Sequence, residues 1–277
     1  MGAIIWLASY PKSGNTWLRA FLHNLLRNPP DAYDINKLGD FTLGESSYAW
    51  YRRLGERPVE PFTDAEVAAL RPKVHRHLTT VAPDSVFVKT HSAVMEDHGV
   101  PTVTLEVTAG AIYVVRNPLD VTISWAHHMG RSLDAAIDYM AKPRAQIDAS
   151  EKNVHVPLGS WSEHVESWTA KPNKALHVVR YEDMLMKPQT AFTGVVRFLG
   201  LKAPRERLER AIARSSFRVL QEQERQYGFM EKSEFAERFF REGKSGQWRK
   251  LLTPAQIDRV VTAHAPQMKR FGYLPLS

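Results

Sequence analysis

No cysteine occurs among the 277 residues. Disulfides, a thiolate nucleophile and cysteine-held metals are therefore excluded. The absence also fits, though weakly, a cytoplasmic protein. No apolar run approaches the roughly 18 residues of a membrane span. The N-terminus lacks the basic and long apolar stretches of a signal peptide, and Trp6 stands where a myristoylation signal needs Ser or Thr. Lysines and arginines form no dense block and no nucleic-acid module, which argues against a nucleic-acid partner. Repeats and low-complexity tracts are missing. No metal-ligand spacing is present, so no metal is expected, and His75, His77, His127 and His128 read as helix-face or surface residues. The ordinary P-loop, Gly-x-x-x-x-Gly-Lys-[Ser/Thr], is absent as well. Gly243-Lys244-Ser245 imitates its tail, but the upstream glycine would be Arg238, and the charged, aromatic stretch 235–241 before it is no strand.

What is present is ordinary globular composition, 43% hydrophobic and 24% charged, in a length that suits one large α/β domain or two small ones. One domain over 1–277 is the reading adopted. The net charge of +7 suits a polyanionic partner. With the basic residues scattered, a small polyanion fits better than nucleic acid, the plain alternative being a soluble basic surface.

Short runs at 3–8, 85–89, 111–116 and 175–180 are β-branched and apolar on both faces, as buried parallel strands are. Helical patterns separate them. Thr63-Asp64-Ala65-Glu66 and Thr253-Pro254-Ala255-Gln256 are capping boxes. Phe192, Val195, Val196 and Leu199 form a helical stripe ending at Gly200. The alternation predicts an α/β fold, a three-layer parallel sheet flanked by helices, with ligands at the strand C-terminal ends. Two stretches, 28–61 and 139–159, resist assignment and read as binding loops.

The chemistry concentrates at strand ends. After the first strand comes Ser9-Tyr10-Pro11-Lys12-Ser13-Gly14-Asn15-Thr16-Trp17, then an apolar-periodic helix. One cation, two hydroxyls, a glycine that permits close backbone approach and a helix N-terminus make a P-loop-like phosphate cradle. The bland alternative is a turn with a solvated lysine. After the second strand, Lys89 and His91 share a face if the chain stays extended; a lone histidine there would more often be structural. After the third, Arg116 is followed by Asn117 as a helix cap, Pro118, Asp120 and Ser124. Arg116 offers bidentate phosphate recognition or, equally, an ion pair with Asp120. After the fourth comes Arg180-Tyr181-Glu182-Asp183. A late run, Arg241-Glu242-Gly243-Lys244-Ser245-Gly246-Gln247-Trp248-Arg249, suits a mobile anion-clasping loop.

With these motifs in order from residue 4 to about 258, the chain resembles the sulfotransferases that use 3′-phosphoadenosine-5′-phosphosulfate (PAPS), in the pattern of the cytosolic small-molecule type. Tyr-Pro-Lys-Ser-Gly-Asn-Thr-Trp and Arg-Asn-Pro-x-Asp-x-x-x-Ser carry the resemblance. It implies that Lys12, Ser13, Gly14, Asn15, Thr16 and Trp17 hold the 5′-phosphosulfate, and that Arg116, Ser124, Arg241 and Gly243 hold the 3′-phosphate. Tyr181, Ser215 and Phe217 would lie around the adenine, His91 would be the general base, and Lys89 a cation on the sulfuryl group. The product would be adenosine 3′,5′-bisphosphate (PAP). Three departures stand out. Glu242 replaces a basic residue. Ser215 replaces a more usual threonine. Arg249, Thr253-Pro254 and Asp258 are a degraded form of the family's dimer motif, so a homodimer is an open expectation. Trp50 is the candidate for stacking on adenine. The aromatic loops suggest an apolar or aromatic hydroxyl acceptor. The rival readings are a P-loop-like nucleotide kinase and a non-catalytic phosphonucleotide or sulfated-glycan binding module. The stretch 221–246 reads as a lid, with a stable surface helix as the alternative.

Overall fold

The computed structural model describes residues 2–56 and 61–275. Residues 57–60 of the stretch 28–61 therefore lie outside the described residues. Three strands come first, β1 (Ile4–Ser9), β2 (Thr42–Gly44) and β3 (Val86–Thr90). A small hairpin follows, β4 (Glu96–Asp97) with β5 (Val100–Pro101), and then β6 (Thr108–Val115). A second hairpin, β7 (Gln146–Ile147) with β8 (Val156–Pro157), precedes β9 (Leu176–Arg180). The central sheet runs β2-β3-β1-β6-β9 and every pairing in it is parallel.

β1 is apolar from Ile4 to Ala8 because both its faces are covered. Leu7 joins Ile112, Val114, Val179, Phe21, Leu22 and Phe192 on one side. Ile4 and Trp6 pack with Val86, Val88, Val67, Val74 and Leu78 on the other. Side chains alternate along a strand, so helices are required on both faces, and these are the three layers expected. Helix Asn15–Arg27 covers the first face, and helix Asp64–Leu78 the second. Both predicted capping boxes form, Thr63 with Glu66 and Thr253 with Gln256, each cap contributing about 1 kcal/mol. Among the described residues no helix is long and apolar enough to cross a membrane.

The four predicted strands are present with ends shifted by at most three residues. β6 begins earlier than expected because Thr108 and Gly110 pair with Ile4 and Ile5 of β1; on its other side Gly110 leaves room for the chain entering β9, where a Cβ would stand 2.7 Å from the Ala175 carbonyl oxygen. Two elements inside 28–61 escaped the sequence pattern. β2 is a three-residue edge strand, too short to show a period of two. Helix Tyr48–Gly55 buries Tyr48 and Tyr51 at a helical spacing that aromatic and glycine neighbours disguise as loop. In 139–159, the first residues complete helix Leu133–Ala141 and the rest carries the β7–β8 hairpin.

Candidate active site

A parallel sheet puts all its strand C-termini at one edge. Ser9, Thr90, Val115 and Arg180 end their strands there, so four segments distant in sequence meet. The β1 loop makes the cradle by positive φ at two residues. Lys12 has φ 63°, and Gly14 has φ 107°, a region that L side chains avoid. A Cβ on Gly14 would meet the Tyr181 ring at 2.7 Å. Helix Asn15–Arg27 starts at Gly14 with no side-chain cap and no acid in its first turn, leaving its N-terminal amides and dipole for an anion. Ser13 Oγ, Trp17 Nε1 and Arg116 Nε are buried with no hydrogen-bond partner. Asn15 is different. Its amide Nδ2 donates to the Leu7 carbonyl at 2.8 Å and ties the helix back to β1, while its Oδ1 stays unpartnered. Thr16 is buried in the same first turn.

Lys12 carries its ammonium 3.6 Å from the centre of the Phe239 ring. Burial and the charges of Arg116 and Lys89 lower its pKa to about 7. Lys89 donates to Glu231 at 3.1 Å. Glu231 also accepts from the buried Arg19 at 2.7 and 2.9 Å. Burial pushes the Glu231 carboxyl up, but Lys89 and Arg19 outweigh it and hold it well below the usual range.

His91 donates from Nδ1 to the Ser9 carbonyl at 2.7 Å. A carbonyl only accepts, so Nδ1 carries the proton and Nε2 presents a lone pair. Burial and Lys89 lower the pKa of this ring to about 3. The ordinary value near ~6.5 that a solvated histidine would have does not apply. His128 stands close by, neutral for a related reason: burial, Lys12 and Lys89 lower its pKa to about 3.

Arg116 donates to the Lys12 carbonyl at 2.9 Å and to the Lys244 carbonyl at 3.4 Å, and stacks over Tyr181 at 4.2 Å. The expected alternative, an Arg116–Asp120 ion pair, is not how these groups are used. Asp120 accepts from the backbone N–H of Gly246 at 2.6 Å and of Trp248 at 3.3 Å, binding the late loop to helix Pro118–Met129. Ser124 lies half-buried on that helix. Arg241 donates to Gln247 at 2.8 Å, and burial and the charge of Arg116 lower its pKa. Gly243 has φ 60° and sits on the Phe217 ring, where a Cβ would come within 2.3 Å. Tyr181 meets Trp17 edge to face at 5.7 Å.

Three of the side chains singled out in the sequence have partners of their own in the fold. Trp50 donates to the Gly44 carbonyl and lies against His77, so the indole beside the cradle is Trp17. The Ser215 hydroxyl donates to the Ala211 carbonyl of its own helix at 2.8 Å. Of the two readings of His75, helix-face or surface, it is the first: it sits on helix Asp64–Leu78 and is fully buried between Glu45 and Thr104, because its helix packs that face onto Trp6. The sequence reading missed Arg19, Glu45, His128, His164 and Glu231. Only Glu231 carried a signal, as an acid within the expected lid.

The sequence profile of the sulfotransferase domain matches residues 4–272. Mouse (Mus musculus) sulfotransferase 1 family member D1 is 27% identical over 276 residues, covering 96% of this chain and 83% of its own. In fold the chain is similar to a mouse sulfotransferase complexed with PAP, with a TM-score of 0.63 at 20% identity, covering 96% of this chain and 84% of the other. It is similar also to retinol dehydratase in a complex with retinol and PAP, with a TM-score of 0.65 at 19% identity over 96% and 81%. With the profile spanning nearly its whole length, this chain belongs to the sulfotransferase-domain family.

Proposed function

We propose that this protein transfers a sulfuryl group from PAPS to a hydroxyl of a small apolar or aromatic acceptor, with His91 as general base. One observation carries the reading. The His91 Nδ1 proton is fixed on Ser9, so an unprotonated Nε2 stands in the same cluster as Lys12 and Lys89. The cradle fits PAPS because its buried donors, Ser13 Oγ, Trp17 Nε1 and Arg116 Nε, have no partner among the described residues, and such groups need one. PAPS supplies the activated sulfuryl group. His91 Nε2 takes the acceptor's hydroxyl proton as the acceptor oxygen bonds to sulfur. Lys12 and the helix amides offset the charge that collects on the departing phosphate, much as in phosphoryl transfer, while Lys89 faces the sulfuryl oxygens. The similar retinol dehydratase structure holds retinol, an apolar alcohol, which supports that acceptor class here. Incubation with sulfur-labelled PAPS and a panel of phenols, alcohols and sugars tests the whole reading. Label on a hydroxyl acceptor is expected; label that never leaves PAPS would favour a binding module, and transfer of phosphate from ATP would favour a kinase.

Affinity for adenosine 3′,5′-bisphosphate is expected to fall as pH rises above about 7, where Lys12 loses its proton. An anion beside Lys12 favours the charged form, so the complex binds a proton that the free protein lacks. The slope reaches at most about tenfold per pH unit. The phosphate's own second ionisation, near pH ~6, is complete by then. Calorimetry at pH 8 in two buffers of different ionisation enthalpy should show proton uptake; a flat affinity from pH 6.5 to 9 would refute it.

The late segment is the lid of this reading. Residues 221–227 belong to helix Phe217–Tyr227, and the irregular part begins at Gly228. Its Phe239 lies on Lys12 and its Glu231 on Lys89, so one segment covers both transfer cations. A cation–π contact is worth about 0.5–2 kcal/mol, and a hydrogen bond to a charged group about 1.5–3 kcal/mol. A bound anion therefore displaces Phe239 from Lys12. Hydrogen exchange across 228–246 should change when adenosine 3′,5′-bisphosphate is added, and unchanged protection would rule the lid out.

A further inference from the structure

Glu45 follows the edge strand β2 and is 3% exposed. Its backbone N–H donates to the Lys89 carbonyl at 3.3 Å. Its Oε1 accepts from the hydroxyls of Thr90 and Ser92, the latter at 2.7 Å. Its Oε2 accepts from His75 Nε2 at 3.1 Å, and His75 Nδ1 is 2.9 Å from the Thr104 hydroxyl. The Ser92 N–H donates to Thr90 Oγ1 at 2.8 Å. From the other side, His164 Nε2 donates to the His91 carbonyl and Trp168 Nε1 to the Ser92 carbonyl, each at 3.0 Å.

These bonds converge on the two residues that flank His91. Burial alone would push the Glu45 carboxyl up, yet the donors at His75, Thr90 and Ser92 hold it below its usual value, so it stays ionised. A buried charge is costly, and a well-packed apolar residue usually serves stability as well or better. The placement of this one is explained by what it orients. The hydroxyls on both sides of the base, Thr90 at the end of β3 and Ser92 just beyond it, bond one carboxylate oxygen, which ties down the chain on either side of His91.

We propose that Glu45 is a positioning residue for the sulfuryl-transfer reaction, holding the Thr90–Ser92 turn so that His91 Nε2 meets the acceptor hydroxyl; this rests on the general-base reading of His91. It touches neither cofactor nor acceptor. Displacing a reacting group by about 1 Å costs on the order of 10²-fold in rate.

The test is a double-mutant cycle in the full-length protein, with PAPS and the acceptor of highest turnover. Glu45→Gln keeps the volume but removes the charge. It should lower kcat by about 10- to 100-fold, with affinity for adenosine 3′,5′-bisphosphate within threefold and thermal unfolding still cooperative. In a His91→Ala background the same substitution should cost less than twofold, because no base remains to be placed. A second readout needs no turnover: in histidine-labelled protein without nucleotide, the ring nitrogen resonances of His91 should shift in Glu45→Gln. If Glu45→Gln does not fold, Ser92→Ala removes one donor and should show a smaller kcat loss of the same non-additive kind. A kcat within twofold of wild type, an unmoved His91 resonance, or an equal loss with and without His91 would overturn the proposal. The base reading fails separately, if His91→Ala alone keeps more than a tenth of kcat.

Discussion

Replacing His91 with alanine should lower kcat by about 10²–10⁴, the usual worth of positioned proton transfer, and leave affinity for adenosine 3′,5′-bisphosphate nearly intact. The split follows from geometry. The ring is held by Ser9 through Nδ1 and offers only Nε2, the atom that in the proposed reaction would take the acceptor's proton. Lys12→Ala should weaken both binding and turnover, since Lys12 belongs to the phosphate cradle. A His91→Ala variant retaining over a tenth of kcat, a loss below ~1.4 kcal/mol, would refute the base. The low pKa of His91, about 3, adds a second expectation. The free enzyme's kcat/KM should have no acid limb near pH 6.5, because this ring is already neutral there. A ring so weakly basic in the free protein gains basicity when an anion settles beside Lys89 and offsets its charge, which couples proton abstraction to donor binding.

Adenosine 3′,5′-bisphosphate should bind about 10²–10⁴ times more tightly than ATP, taking two charge-assisted hydrogen bonds at 1.5–3 kcal/mol each. Arg116 and Arg241 are near enough for the charge of Arg116 to lower the Arg241 pKa. Glu242 and Asp120 offset part of that effect, but Asp120 is committed to the N–H groups of Gly246 and Trp248 and Glu242 lies 3.5 Å from Lys244. Two neighbouring guanidinium groups with no direct ion pair among the described residues call for an anion, and the 3′-phosphate is what ATP lacks. A site with unpaired cations discriminates strongly against the ligand that leaves them so. Arg241→Ala should narrow the gap. Equal affinities by calorimetry would sink the assignment.

Much of this was legible in sequence because it is local. The cradle is one strand, one loop and one helix start within 24 residues. Lys89 and His91 sit two apart on one strand end, and Arg116 to Ser124 spans a single helix cap and two turns. The capping boxes at Thr63 and Thr253 formed as read, since each involves only four consecutive residues. β2 and the helix at Tyr48–Gly55 were lost because three residues, or eight aromatic-rich ones, give too little periodicity to rise above their surroundings.

By itself the sequence determined the parallel α/β layers, the strand–loop–helix of the proposed phosphate cradle and the family pattern, since hydrophobic period and motif spacing act over a few residues. Only the tertiary structure decided which groups stand against the chemistry. Glu231 reaches Lys89 across 142 positions, Arg116 reaches the Lys12 carbonyl across 104, and His164 reaches the His91 carbonyl across 73. Glu45 closes on Ser92 across 47. No periodicity encodes such pairs. They exist because a parallel sheet gathers strand ends at one edge, where burial lowers the pKa values of Lys12 and His91 while Lys89 and Arg19 hold Glu231 ionised against it.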